Sequence, residues 1–195
     1  LDVPRPSMEL GVTGDNDAEV AAGVLTKLYL VLEDLKPEAV MFLGDTNTVV
    51  GCIAAAQLNI PILHIEGCWH SYDWRLPEEK YRTLADHLAD VIYTYAQGYK
   101  DQGIAEGHNP KYIVVTGHPG IDILERFYFS KKVKLEKMAT EEFFAKRGLR
   151  KNNYYFMTCH RRENVHIQKS FLAILNLIEH AKHTVYFAAS YRTQA

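Results

Sequence analysis

The sequence has few cysteines and no long apolar run, and its opposite charges nearly cancel. Its 195 residues include three widely separated cysteines, Cys52, Cys68 and Cys159, which argues against a disulfide-stabilised secreted scaffold and favours a reducing cytoplasm. No stretch approaches the ~20 apolar residues that a membrane-spanning helix needs. A net charge of −2 gives no reason to expect binding to nucleic acid or to an anionic membrane.

What the sequence does contain is a regular alternation of short apolar segments with helix-like segments. The apolar segments predict strands over residues 39–43, 60–65, 91–95, 112–117, 154–158 and 184–189. Longer segments between most of them have helical periodicity, and the first helix, over 18–35, is expected to be capped by Asp15 or Asp17. This order predicts an α/β fold of βαβ units with parallel sheets.

A charged segment interrupts the alternation and suggests a domain boundary. We expect residues 1–130 to form most of a first domain, residues 131–153 to form a linker helix, and residues 154–195 to begin a second domain. The second part contains only two predicted strands, and a sheet of two strands needs a covering partner to be stable.

Ligands of open parallel sheets bind beyond the carboxyl ends of the strands, and two acidic residues follow predicted strands there. Asp45 ends "FLGD", although an aspartate at this place is also a common helix N-cap. Glu66 ends "LHIE" and is followed by Gly67 rather than by a helix, so it needs polar partners. In the next helix, Glu79 fits a role beside the positive helix terminus, whereas Glu78 lies nearer the loop and can point back to Glu66.

A second group of candidate residues lies after the strand at 154–158, in the segment "CHRREN". His160, Arg161 and Arg162 precede a predicted helix, and such a turn suits an anion; the alternative is a solvated charged turn. Cys159 and His160 lack a second pair of ligands at a suitable spacing, so no metal is expected. Carboxylates in one half and a cationic turn in the other suit a diphosphate-bearing substrate that loses a proton.

Five ordered segments give the sequence a family resemblance. "GDTNT", "IPILHIEG", "DWRLPEEKYRTLADHLAD", "VTGHPGID" and "TCHRRENV" resemble the corresponding segments of the non-hydrolysing UDP-N-acetylglucosamine 2-epimerases. The resemblance implies two Rossmann-like domains in the GT-B-like architecture of UDP-glycosyltransferases and glycogen phosphorylase. It further implies a cytoplasmic enzyme that binds a UDP-sugar, needs no cofactor, and forms a homodimer as the complete protein.

The implied reaction inverts C2 of UDP-GlcNAc to give UDP-ManNAc, a precursor of surface polysaccharides, by elimination and re-addition of UDP. Matching the motifs assigns catalytic roles to Asp45, Glu66, Glu78 and His160. Residues beside them are assigned to substrate binding: Gly44, Thr46, Arg161 and Arg162. The aromatic residues of the loop after Glu66 are expected to pack that loop and exclude water: Trp69, Tyr72 and Trp74.

Departures from the family pattern leave alternatives open. Gly67-Cys68 replaces the usual "AG", and the family's first "GTRPE"-type turn and later "SGG" loop have no counterpart. We therefore expect a fragment truncated at both ends, whose isolated 195 residues are inactive. The alternatives are a UDP-2,3-diacetamido-glucuronate 2-epimerase, a hydrolysing epimerase, an inactive remnant, and a GT-B glycosyltransferase, which would not need three carboxylates.

Overall fold

The computed structural model describes residues 4–159 and 161–189, apart from the side chains of Arg162 and Glu163. The chain divides into two compact units, Leu1–Asp122 and Ile123–Ala195. None of the described helices is both long enough and apolar enough to cross a bilayer.

The first unit alternates helices with parallel strands. Its elements, in chain order, are α1 (Asp17–Leu35), β1 (Val40–Leu43), α2 (Cys52–Gln57), β2 (Ile62–Ile65), α3 (Pro77–Leu88), β3 (Val91–Thr94), α4 (Gln97–Ala105) and β4 (Ile113–Val115). Short 3₁₀ turns precede α2 at Asn47–Gly51 and β4 at Pro110–Tyr112. The four strands form one parallel sheet in the order β1-β2-β3-β4.

The strand register sets the carboxyl ends side by side. Leu43 pairs with Ile65, and Tyr93 pairs with both Ile65 and Val114. Residues that follow these positions therefore emerge along one edge of the sheet, where the strand-end residues were predicted to meet.

The core of the first unit lies between the sheet and the helices packed on it. Its main cluster consists of buried apolar residues from α1, β1, the turn before α2, α2, β2 and α3: Leu32, Phe42, Val49, Cys52, Ala54, Ala55, Ile62 and Ala85. A smaller cluster contains Cys68, Ile92 and Ile113. The small residues of α2 let it approach the strands closely.

Helix α5 (Pro119–Phe127) spans the boundary between the units, and the second unit carries the remaining elements. These are a 3₁₀ turn (Phe129–Lys131), α6 (Lys132–Met138), α7 (Glu141–Ala145), β5 (Tyr155–Met157), α8 (Arg162–Val165), α9 (Gln168–Glu179) and β6 (Val185–Phe187). Strands β5 and β6 pair in parallel. The segment predicted as one linker helix holds two short helices, because Thr140 caps α7 by accepting a hydrogen bond from the Phe143 N–H.

The α/β fold class with parallel sheets is confirmed, with small shifts at the ends of elements. The prediction that Asp15 or Asp17 caps α1 is wrong. Asn16 is the N-cap residue, and its side chain accepts a hydrogen bond from the Glu19 N–H. Glu19 in turn accepts bonds from the Asp15 N–H and the Asn16 side-chain amide, an arrangement similar to a capping box.

Candidate active site

Asp45 and Glu66 lie next to each other beyond the ends of β1 and β2. The Gly44 N–H donates to the Ile65 carbonyl over 3.0 Å, which continues the strand pairing up to these residues. Both turns use left-handed backbone: φ is +74° at Gly44 and +71° at Glu66. A side chain such as that of glutamate rarely adopts this conformation, and such strain concentrates at functional sites.

Arg82 joins the two carboxylates. This arginine of α3 is 5 % exposed, and its guanidinium bonds an oxygen of Asp45 and the backbone carbonyl of Glu66. One of its nitrogens also lies 3.3 Å from Glu66 Oε1. A planar guanidinium with several N–H donors suits such a bridge, since it satisfies several acceptors at once.

Tyr95 holds the other oxygen of Glu66. The hydroxyl of this residue, which follows β3, donates to Glu66 Oε2 over 2.9 Å. Burial, the hydrogen bond to Glu66 and the charge of Glu66 raise the pKa of Tyr95 to about 12. The phenol therefore keeps its proton at neutral pH, and Glu66 is fixed from both sides while about a quarter of its side chain stays exposed (24 %).

Aromatic rings cover one side of this group. Trp69 packs against Tyr95, Tyr99 and His118, with ring centroids 5.6–6.1 Å apart, and the Arg82 guanidinium lies 5.7 Å from its ring centroid. His118, which follows β4, packs on Tyr95 at 4.4 Å. The carboxyl ends of all four strands thus contribute to one site.

Glu79 holds the loop that leads from Glu66 to α3. Its carboxylate accepts hydrogen bonds from the backbone N–H groups of Ser71 and Tyr72 at 3.0 and 3.1 Å, and it contacts His70 Nδ1 at 2.9 Å. Burial alone would raise the pKa of Glu79, but its bonds to Ser71, Tyr72 and His70 lower it. Glu79 therefore does more than complement the helix terminus, as its sequence position suggested.

The structure does not bring Glu78 to Glu66. Glu78 is exposed in the first turn of α3, and no hydrogen bond or ion pair joins it to another described residue. Its neighbour Glu79 faces inward because successive helix residues point in different directions. Asp45 does not cap a helix either: Thr46 precedes the 3₁₀ turn, and its hydroxyl bonds Thr48.

The cationic turn can be described only in part. His160 lies outside the described residues, and so does the side chain of Arg162. Arg161 is exposed immediately before α8. Their predicted roles at the phosphates stay predictions.

The loop aromatics divide into two groups. Trp69 packs in the site, whereas Tyr72 and Trp74 are more than half exposed. The latter two line a shallow pocket of about 240 Å³ together with His70, Glu79, Thr83, His87 and Glu106. Within the described part of the chain, no group of three or more His, Cys, Asp or Glu side chains is arranged to hold a metal ion.

Sequence reasoning did not find Arg82 and Tyr95. A usable signal existed for Arg82, because charged residues at 79, 82 and 86 follow the i, i+3, i+7 spacing of one face of α3. All three are buried, so this face is a polar interior rather than a solvated surface. Tyr95 is the last residue of a predicted strand, and Asp45 and Glu66 lie within two residues of the ends of theirs, but its residue type did not single it out.

The whole length of the chain matches a known family. Residues 1–194 match the family described as UDP-N-acetylglucosamine 2-epimerase. The chain belongs to the UDP-N-acetylglucosamine 2-epimerase family. A Methanocaldococcus jannaschii relative of that name is 30 % identical over 167 residues, which cover 85 % of this chain and 44 % of the relative.

Solved structures of the epimerase family agree with this assignment. A crystal structure of the M. jannaschii UDP-GlcNAc 2-epimerase in complex with UDP-GlcNAc and UDP superposes with a TM-score of 0.81 at 28 % identity, covering 99 % of this chain and 53 % of that one. The Rickettsia bellii UDP-N-acetylglucosamine 2-epimerase gives 0.79 at 31 % identity, covering 99 % and 50 %. These epimerases are GT-B-like, which confirms the predicted fold class. The chain spans about half the length of the relatives it matches.

Proposed function

We propose that the whole protein containing this sequence is a non-hydrolysing UDP-N-acetylglucosamine 2-epimerase that interconverts UDP-GlcNAc and UDP-ManNAc. Membership of the family supports the substrate class, and a related crystal structure holds UDP-GlcNAc and UDP. The observation that carries the proposal is the group formed by Asp45, Glu66, Arg82 and Tyr95. It sets two partly exposed carboxylates side by side, fixed by donors from neighbouring elements.

The proposed chemistry begins with removal of the proton from C2 of the sugar. A carboxylate takes this proton while the C1–O bond breaks and UDP leaves with the bonding electrons, so that C1 and C2 become joined by a double bond. UDP then adds back to C1, and C2 receives a proton on the opposite face. Such acid–base help contributes roughly 10²–10⁴-fold in rate.

We propose Asp45, Glu66 and Glu78 as the acid–base residues and Gly44 and Thr46 as substrate-binding residues. Glu66 is the best supported because its carboxylate is oriented by Arg82 and Tyr95 and still reaches solvent. Glu78 depends on the motif match, since its side chain is exposed and makes no hydrogen bond or ion pair with these four described residues. Exposure leaves it able to meet a substrate.

The departing diphosphate needs stabilisation of its negative charge, which is usually the larger contribution to catalysis. His160, Arg161 and Arg162 are proposed for this role on the strength of the motif "CHRREN". Gly44 in its left-handed turn lets the backbone of the first unit approach a ligand closely.

The cellular setting follows from the same proposal. Cys52 and Cys68 are buried free thiols, which supports a reducing cytoplasm. The family resemblance supports a homodimer of the whole protein and a role in surface-polysaccharide synthesis. The mass of the whole protein measured by light scattering tests the dimer: a monomeric mass would contradict it.

The identity of the product tests the proposed reaction. The whole protein incubated with UDP-GlcNAc should yield UDP-ManNAc and approach an equilibrium mixture. Release of free ManNAc with UDP would instead show a hydrolysing epimerase. Turnover of a UDP-2,3-diacetamido-glucuronate but not of UDP-GlcNAc would contradict the proposed substrate. Transfer of the sugar from UDP-GlcNAc to an added acceptor without epimerisation would contradict the proposed reaction.

A further inference from the structure

His70 lies among carboxylates from two helical segments. Its Nδ1 is 2.9 Å from Glu79 Oε1, and its Nε2 is 3.1 Å from Asp86 Oδ2 and 3.2 Å from Glu106 Oε2. Nε2 is aligned for a linear hydrogen bond with neither carboxylate, so its contact with both is an ion pair only when the ring is protonated. A neutral imidazole has one N–H, and only the imidazolium presents a proton on both nitrogens.

The burial of this group makes the charge of His70 consequential. Asp86 is 1 % exposed and Glu79 is 5 % exposed, while His70 itself is 7 % exposed. Buried carboxylates need a positive partner or hydrogen-bond donors, since desolvation penalises an uncompensated charge. When both ring nitrogens of His70 carry a proton, each presents an N–H to a carboxylate. A neutral ring would instead present the lone pair of one nitrogen to a negative charge.

Asp86 connects His70 to both predicted catalytic turns. Its Oδ2 also accepts the Cys68 N–H over 2.8 Å, two residues after Glu66. Its Oδ1 lies 2.6 Å from His64 Nδ1, and His64 Nε2 lies 2.8 Å from the carbonyl of Gly44, which directly precedes Asp45. One carboxylate thus fixes the backbone beside each of the two strand-end acids.

We propose that His70 is a positioning residue that acts as an imidazolium. Its charge holds the loop after Glu66 against α3 and the end of α4, and loss of its proton at raised pH releases the loop and lowers turnover. The effect on turnover rests on the proposed epimerase function, whereas the protonation state of His70 does not. This role belongs to His70 because it lines the pocket of about 240 Å³ and can exchange its proton with solvent there.

Titratable groups face His70 from each element packed around it. They are Tyr72 in the loop, Glu79, Asp86 and His87 on α3, and Glu106 and His108 after α4, while His64 on β2 and Cys68 in the loop contact Asp86. Burial by itself lowers the pKa of His70, but the close negative charges of Asp86 and Glu106 and the bond to Glu79 outweigh it and raise the pKa. The neighbouring His108 has a lowered pKa, because of burial first and then the charge of His87.

The sign of the pH effect follows from this raised pKa. A histidine whose pKa is higher in the folded than in the unfolded protein stabilises the fold fully below the unfolded value of about 6.5. That contribution is lost as pH rises through the folded value. The loop should therefore be tightest from mildly acidic to neutral pH and loosen on the alkaline side.

The first test reads the protonation of His70 directly and needs no catalysis. In ¹⁵N-histidine NMR spectra of the whole protein, both ring nitrogens of His70 should show imidazolium shifts at pH 7. In Glu79→Gln the midpoint of the titration should fall by about 1 pH unit or more, since an adjacent charge shifts a pKa by that amount. A neutral His70 ring at pH 7 in the wild-type protein would overturn the proposal.

The second test asks whether the charge matters for turnover. His70→Gln should lower kcat about 10- to 100-fold with little change in KM, the effect expected when acid–base groups are slightly misplaced, and should lose the alkaline decline seen in the wild type. His70→Arg, which keeps a positive charge at every pH, should recover most of kcat and also lack that decline. His180→Gln, on an exposed histidine after α9, is the matched control and should match the wild type.

The outcomes separate the two proposals. A wild-type kcat and alkaline decline in His70→Gln would overturn the positioning role. If His70→Gln does not fold, the NMR titration of the wild type still decides the protonation state, and the pH profile of His70→Arg decides the role. A wild-type protein with an imidazolium at His70 but no turnover of UDP-GlcNAc would count against the proposed function alone.

Discussion

Glu66 is the residue in which backbone strain and side-chain orientation coincide. Its φ of +71° costs of order 1–3 kcal/mol for a residue other than glycine, and Arg82 and Tyr95 hold its carboxylate on either side. A side chain needed only for packing would gain nothing from this arrangement. The strain is explained if the carboxylate must face a ligand from a fixed position.

Glu66→Gln removes the proposed base from the whole protein. We expect kcat with UDP-GlcNAc to fall by about 10²–10⁴-fold because the amide cannot take up a proton, while the fold is retained because glutamine has nearly the same shape. Steady-state kinetics and circular dichroism measure the two effects. Glu33→Gln, at an exposed position of α1, is the control. Turnover in Glu66→Gln equal to that of the control would remove Glu66 from the proposed mechanism.

For single residues, the sequence predicted where the acidic residues lie better than which side chains contact them. Asp45 and Glu66 could be found because parallel strands deliver their ends to one edge. Arg82 could not be found with the same ease, because an arginine inside an amphipathic helix looks like a surface residue until its tertiary partners are known. Glu78 and Glu79 are adjacent acids, and only the rotation of α3 decides that Glu79 is the one that faces inward.

At the scale of elements, α3 and α4 are held close to the loop after Glu66. Gly103 of α4 lies where a Cβ atom would be 2.5 Å from Cys68 Sγ and 3.0 Å from Ile113 Cδ1. Both neighbours are buried, so neither can move away without repacking. The glycine thus sets the distance between α4, the loop and β4.

Gly103→Ala is therefore expected to destabilise the chain by about 1–3 kcal/mol through overpacking. Gly98→Ala in the same helix is the control: no atom lies within 4 Å of its added Cβ, so it should be neutral or stabilise by about 0.4–1 kcal/mol. Urea denaturation of both variants measures the difference. Equal stability of the two variants would show that α4 is not packed as described.

Asp86 makes the same region sensitive to acid. Burial would raise its pKa, but His64, His70 and the Cys68 N–H lower it to about 2. A carboxylate whose pKa is lowered by folding stabilises the fold at pH values above its unfolded pKa of about 3.9. The contribution of Asp86 to the free energy of unfolding, about 2 kcal/mol, should therefore be lost as pH falls from about 4 towards 2. Denaturation at a series of pH values tests this. Asp86→Asn should be less stable at pH 7 and lose less on acidification; an unchanged acid dependence would contradict the assignment.

The alternation of strands and helices was predictable because each apolar run is short and followed by a turn. The exact ends of the elements were less predictable. The N-cap of α1 is Asn16 rather than one of the neighbouring aspartates, because the Asn16 side chain accepts a hydrogen bond from the Glu19 N–H. The charged segment after α5 forms two helices, because a capping threonine in mid-segment outweighs overall helix propensity.

At the scale of the whole molecule, the two units differ in how completely they are built. The first has a four-stranded sheet with a buried core, and the second pairs only β5 with β6 among the residues described. The relatives are about twice as long as this chain. Residues for the phosphates are predicted in the second half, from "CHRREN" onward.

We predict that the isolated 195-residue chain turns over UDP-GlcNAc little or not at all, because the two-stranded sheet found among the described residues of its second unit does not hold a binding surface stably. An assay with the whole protein in parallel is the control, and chromatography of the nucleotide sugars measures both. Turnover by the isolated chain at a rate comparable to that of the whole protein would contradict this.

The central claim is that a carboxylate of the first unit removes the proton from C2 of a UDP-linked sugar. NMR spectra of the whole protein turning over UDP-GlcNAc in deuterated water test it most directly. Deuterium is expected at C2 of UDP-ManNAc made by the wild-type protein, and no deuterium is expected there with Glu66→Gln over the same time. A UDP-ManNAc product that keeps its original C2 proton would contradict it.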